Sequence, residues 1–215
     1  MPTSRRLFLH SAVGLALAAG AGAMFPGVVV ARSSGRFVAG SSAEIQSSRK
    51  SPNGWPINTA ADGGGSVWSR PVPGTGFEVA VAIGAAEVIL VHVVRRFHYE
   101  IDSLRPGEVL GFKSPDTLTG YEENHASGTA IDIRPGHYPP GVRGGFYEHE
   151  VNVVRDILAD CDGVVTWGGD FGVPDEGHFQ IDLPPADERV YALAEKLRGW
   201  NNTPGEGAGV IRSLN

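Results

Sequence analysis

At 215 residues with 41% apolar side chains, the chain is long enough to bury one good core, and its 30 glycines and 15 prolines argue for turns and loops over a helical bundle. A formal charge of -6 with no clustered stripe of Lys and Arg excludes a nucleic-acid binder, because phosphate neutralisation requires one. The single cysteine, Cys161, excludes an intramolecular disulfide, and its acidic neighbours Asp160 and Asp162 disfavour a reactive thiolate, so it reads as structural.

The first 31 residues read as a twin-arginine export signal: Arg5-Arg6 precedes an uncharged, Ala- and Gly-rich run from Ser11 to Ala31. That run is too weakly hydrophobic to favour a membrane anchor. Cleavage after Ala23 or after Ala31 removes Arg5 and Arg6 and takes the formal charge from -6 to -8. The expected partner is therefore the twin-arginine export machinery, and the expected location lies outside the cytoplasmic membrane, in periplasm, cell wall or medium. A monomer is expected.

Residues 32–75 read as a Ser/Gly-rich lead-in, a tether or loosely packed approach to one folded domain over 76–200, with a flexible tail over 201–215. Within the domain, the period-two alternation of Phe77 to Ile83 predicts a half-buried strand. Beyond Gly84, the spacing of Ala86, Leu90, Val93, Phe97 and Ile101 predicts a helix, although the β-branched run Val88 to Val94 leaves a strand open. Further helices are expected over Glu148 to Asp160, with Val151, Val154 and Leu158 inward, and over Asp187 to Arg198, with Val190, Leu193 and Leu197 inward. Short apolar segments at Ala130 to Ile133, Val164 to Trp167 and Phe179 to Ile181 read as strands. The Pro/Gly loop from Gly136 to Gly145 reads either as a plain surface connection or as a lip shaping a site.

Two clusters carry chemistry. His125 and Asp132 stand seven positions apart, and Pro174 to Gln180 supplies His178 with Asp175 and Glu176 just upstream. Imidazole and carboxylate are ligand types that zinc accepts in open catalytic sites. Singly, His125 could cap a turn, His178 could be a satisfied strand histidine, and Asp132 a turn or salt-bridge residue; together they favour a metal site.

The stretch from Glu123 to Asp132 resembles the S-x-H-x-x-G-x-A-x-D signature of the zinc D-Ala-D-Ala carboxypeptidases and the related phage endolysin L-alanyl-D-glutamate peptidases. Asp175 to Phe179 is similar to their D-x-x-H-F element, and Trp167-Gly168-Gly169-Asp170 to their W-G-G-D approach. The resemblance spans roughly residues 85–185 and implies zinc held by His125, Asp132 and His178, with Asp175 as catalytic carboxylate and Glu176 one residue away as the other candidate. It implies an α+β fold of the Hedgehog/DD-peptidase kind, a small antiparallel sheet with helices on one face. The implied activity is hydrolysis of amide bonds in peptidoglycan stem peptides, as D,D-carboxypeptidase or endopeptidase.

Two departures mark the substrate side. Glu123 stands where the signature has Ser, and Lys113 stands in the region where the family carries a substrate-anchoring Arg. Lysine offers a carboxylate only a point contact, whereas arginine makes a planar two-point one. Arg96, with Arg95 and Arg134, is another candidate cation for substrate. Such departures admit the alternative of a catalytically weak or inactive zinc-containing peptidoglycan-binding domain.

Overall fold

The computed structural model describes residues 49–203 and 205–207, so the expected export signal and most of the expected tail lie outside the described residues. Among these, the strands are β1 (Val67–Pro71), β2 (Glu78–Ala82), β3 (Val109–Leu110), β4 (Ala130–Ile133), β5 (Val165–Trp167) and β6 (His178–Ile181). The helices are α1 (Ala85–Glu100), α2 (Glu123–Ala126), α3 (Glu148–Asp160) and α4 (Glu188–Asn202), with 3-10 turns at Gly120–Glu122 and Gly168–Asp170. No described helix is long and apolar enough to cross a membrane.

β1 and β2 form an antiparallel hairpin, and a second antiparallel sheet runs β3-β4-β6-β5. The alternation of side chains along a strand divides that sheet into two faces. Ile131 and Ile133 of β4, Phe179 and Ile181 of β6, and Val165 and Trp167 of β5 face the hydrophobic core, where α1 packs against β2, β4, α3 and α4. The expected α+β architecture is thus present. Register then places Asp132 beside His178 and Ala130 beside Gln180 on the opposite face. Two ligand-type side chains thereby become neighbours across two strands.

The open choice over Val88 to Val94 resolves as helix: Ile89, Leu90, Val93, Val94 and Phe97 are fully buried. α3 has the expected ends, but its buried residues are Val154 and Ile157, while Val151 and Leu158 are only partly covered. α4 begins at an Asp187 cap that accepts a hydrogen bond from the Arg189 backbone N–H, and it continues four residues past Arg198 to Asn202.

The lead-in differs from the expectation of a loose tether over its described part. Residues 67–71 form β1, and Ser51, Asn53, Ile57 and Asn58 are buried. Asn53 Nδ2 donates to Thr129 Oγ1 and to the Ile181 carbonyl, each at 2.7 Å, and Trp55 Nε1 donates to the Leu183 carbonyl at 2.8 Å. The polar composition that suggests a tether serves instead to satisfy buried backbone and side-chain groups.

Candidate metal centre

The 3-10 turn Gly120–Glu122 runs straight into α2, and this compact pair presents Tyr121, Glu122, Asn124 and His125. Gly128 ends the segment at φ 69°, and a Cβ there would lie 2.5 Å from Ala82 N, so the β2 hairpin approaches closely only because the residue is glycine. The return through Thr129 leads directly into β4 and Asp132. One short loop therefore brings an imidazole from α2 over a carboxylate on the sheet.

His125, Asp132 and His178 converge together with Glu122, their ligand atoms all within 4.8 Å of one another. His125 Nε2 lies 3.2 Å and His178 Nδ1 2.9 Å from Asp132 Oδ1. Behind the rings, His125 Nδ1 meets the Gly111 carbonyl at 2.6 Å and His178 Nε2 meets Gln180 Oε1 at 3.0 Å. Both outer nitrogens face acceptors and so carry protons. In neutral rings the inner nitrogens then turn lone pairs toward a carboxylate oxygen.

Three acceptors facing one point repel each other, and a cation among them relieves that repulsion. The two rings stand with centroids 5.2 Å apart beside the Lys113 ammonium, and one divalent ion would satisfy their lone pairs together. Two imidazoles and one carboxylate, each with an outer partner, form a donor set that fits zinc.

Lys113 belongs to the centre. Its Nζ lies 2.5 Å from Asp132 Oδ2 and 2.8 Å from Glu122 Oε2, and Glu122 Oε2 stands 4.0 Å from His125 Nε2. Burial works against this ammonium, yet its hydrogen bonds to Asp132 and Glu122 raise its pKa.

Asp175 is buried, and its Oδ2 accepts a hydrogen bond from the Tyr121 hydroxyl at 2.9 Å. The Tyr121 ring packs edge-on against His178 at 4.9 Å, linking the carboxylate to the cluster. Desolvation pushes the Asp175 carboxyl upward in spite of the Tyr121 bond, and burial with the Asp175 charge raises the Tyr121 phenol. Glu176 has both oxygens engaged, accepting from the Gly144 and Gly145 backbone N–H groups, each at 2.7 Å. It anchors the Pro/Gly loop, which is further held by Gly141 N–H on the Pro174 carbonyl and by Arg143 on the Gly169 carbonyl.

Two expected substrate residues stand elsewhere. Glu123 pairs with Arg49 at 2.7 Å, because the helical turn that brings Glu122 toward His125 directs the next residue away. Arg96 lies within a cage made by Glu100, Asp156 and Asp160 on α1 and α3, so its charge is consumed by the helix packing. Of the other cations, Arg95 bonds Asn201, and Arg134 pairs with Asp102 and Glu108. Sequence reasoning missed Tyr121, Glu122, Asn124 and Gln180. Signals existed for two of them: Glu122 precedes His125 by three residues on a helical turn, and Gln180 follows His178 by two on a strand.

A family model described as D-alanyl-D-alanine carboxypeptidase matches residues 119–181. No curated protein and no solved structure matches the chain. The matched stretch begins just before Gly120–Glu122 and ends with β6, so it contains the metal-type cluster and Asp175 and leaves Lys113 outside. A carboxypeptidase-type zinc centre is what this stretch resembles.

Proposed function

We propose that the chain is an exported zinc metallopeptidase that hydrolyses amide bonds in peptidoglycan stem peptides, with His125, Asp132 and His178 as ligands and Asp175 as general base. The observation that carries this reading is the convergence of two imidazoles and a carboxylate, inside the stretch similar to D-alanyl-D-alanine carboxypeptidases. Zinc held by these three residues would supply Lewis-acid chemistry, activating water near neutral pH and polarising a carbonyl. Asp175 then has the proton work: an upward-shifted carboxylate takes a proton more readily than an exposed one and can hand it on to a leaving amine. Tyr121 holds Asp175 Oδ2 in place and leaves Oδ1 for that transfer. Lys113 supplies a fixed positive charge beside the ligands for the anionic end of a stem peptide.

One observation favours a second reading, a zinc-bearing peptidoglycan-binding domain without turnover: the Lys113 ammonium is already shared between two carboxylates. The test is muropeptide cleavage by the zinc-loaded full chain and by Asp175→Asn. General-base loss should lower kcat by about 10²- to 10⁴-fold with zinc content unchanged. Zinc-loaded wild type that binds muropeptide yet releases no product establishes the second reading instead.

A further inference from the structure

Histidine ligands are held from behind, and the hydrogen bond at the outer nitrogen decides which nitrogen meets the metal. For His125 the outer partner is a backbone carbonyl, which can only accept. For His178 the partner is Gln180, whose amide could turn either end toward the ring. Only its oxygen end requires a proton on Nε2 and leaves Nδ1 unprotonated.

The amide's direction is set from two sides. Gln180 lies 3.0 Å from Asp182 Oδ1, a carboxylate oxygen that accepts, so Gln180 presents Nε2 there. Its Oε1 then receives His178 Nε2–H at 3.0 Å and Asn124 Nδ2 at 2.8 Å. Asn124 is a second amide with the same ambiguity, and it is fixed by the Asn53 backbone N–H, which can only donate, to Asn124 Oδ1 at 3.3 Å. With an obligate donor at one end and a carboxylate acceptor at the other, the two amides between them have one consistent orientation. Asn124 and Gln180 are 1% and 4% exposed, so no solvent compensates a reversed amide.

We propose that the chain Asn53–Asn124–Gln180–Asp182 is the positioning device of the metal centre, fixing His178 with Nδ1 toward the metal. Asn124 and Gln180 are positioning residues: they act on the metal through His178. The segment over residues 49–58 is thereby part of the centre, since Asn53 sets the direction of the whole chain. The inference rests on the zinc reading of His125, Asp132 and His178.

The test compares two near-isosteric changes that treat hydrogen-bond direction oppositely. Asn124→Asp removes the donor to Gln180 Oε1, sets two oxygens against each other and favours reversal of the Gln180 amide, so zinc affinity by chelator competition should fall by about 10- to 100-fold. Gln180→Glu combined with Asp182→Asn keeps an oxygen toward His178 and Asn124 and reverses only the outer link, so its affinity should stay within about threefold of wild type, well inside that outer-partner range. A role in packing alone predicts equal behaviour of the two variants, and equal affinities overturn the proposal. Should Asn124→Asp fail to fold, nitrogen-15 NMR of the zinc-loaded wild type decides: a ring proton on His178 Nε2 supports the proposal, and one on Nδ1 overturns it. None of these readouts uses peptide cleavage. A protein that binds zinc as described but cleaves nothing leaves this inference standing and removes the peptidase reading, while one that binds no zinc removes both.

Discussion

Arg96 and Lys113 are both cations withdrawn from solvent and faced by more than one carboxylate, yet their surroundings are finished to different degrees. The Arg96 side chain is 5% exposed, and its guanidinium donates to Glu100, to Asp156 at 2.7 Å and to Asp160 at 2.5 Å. Its planar fork and its acceptors match, and a single imidazole, His92, stands beside the cage with Nε2 3.4 Å from Asp160 Oδ2. Around Lys113, the carboxylate of Asp132 is shared with two imidazoles whose outer nitrogens are already engaged by the Gly111 carbonyl and Gln180. The first arrangement is closed and holds α1 to α3. The second gathers a donor set that a divalent cation would fit. An acidic cluster around a cation is thus not by itself a site; two imidazoles, His125 and His178, converging on one carboxylate are what distinguish it.

The comparison breaks most directly on metal content. Asp132→Ala removes the anion on which both imidazoles converge, and zinc affinity should drop by more than about 100-fold, beyond the loss typical of an outer-shell partner. Zinc by mass spectrometry on the dialysed protein checks this. Arg96→Met is the counterpart and should leave zinc per folded molecule unchanged. It should instead lower the unfolding free energy by about 2 kcal/mol, less than the loss expected for a fully buried pair, because Asp156 is 68% exposed and its share is screened. Urea unfolding of both variants supplies the measurement. If Arg96→Met loses zinc while remaining folded, the two cations are not independent and the contrast fails.

Legibility in the sequence follows the same division. β4, β5, β6 and α3 could be read closely because each is a short apolar or periodic segment bounded by Gly, Pro or Asp, and burial on one core enforces that pattern. β1 and residues 49–58 could not, because Ser51, Asn53 and Asn58 gain their place from partners distant in sequence, such as Ile181 for Asn53, and composition carries no trace of them. At the centre, His125, Asp132 and His178 follow from residue type and spacing, and the fold brings them together. Which of two adjacent glutamates faces them does not follow from the motif alignment. The motif singles out Glu123, but a helical step of three residues carries Glu122 to the His125 side and sends Glu123 to Arg49. Lys113 reads as a cation for substrate, but its link to Asp132 emerges only when the segment after β3 passes the end of β4.

That link sharpens the contrast through a smaller effect. In Lys113→Met, Asp132 and Glu122 lose the ammonium that offsets their charge, and the centre becomes more attractive to a divalent ion. A gain of about 1 kcal/mol for one unit charge near a partly solvated site corresponds to roughly fivefold tighter zinc binding. Substrate should respond in the opposite sense. If the ammonium also meets the free C-terminal carboxylate of a stem peptide, KM for that peptide rises by about 10-fold, the effect of losing roughly 1.4 kcal/mol of uniform binding, while an amide-capped peptide is unaffected. Calorimetric zinc titration and steady-state kinetics on the capped and uncapped peptides separate the two effects. Tighter zinc with a selective KM rise makes Lys113 a working charge of the centre, unlike Arg96. Unchanged zinc affinity with reduced stability would make it a second Arg96, a cation consumed by the fold.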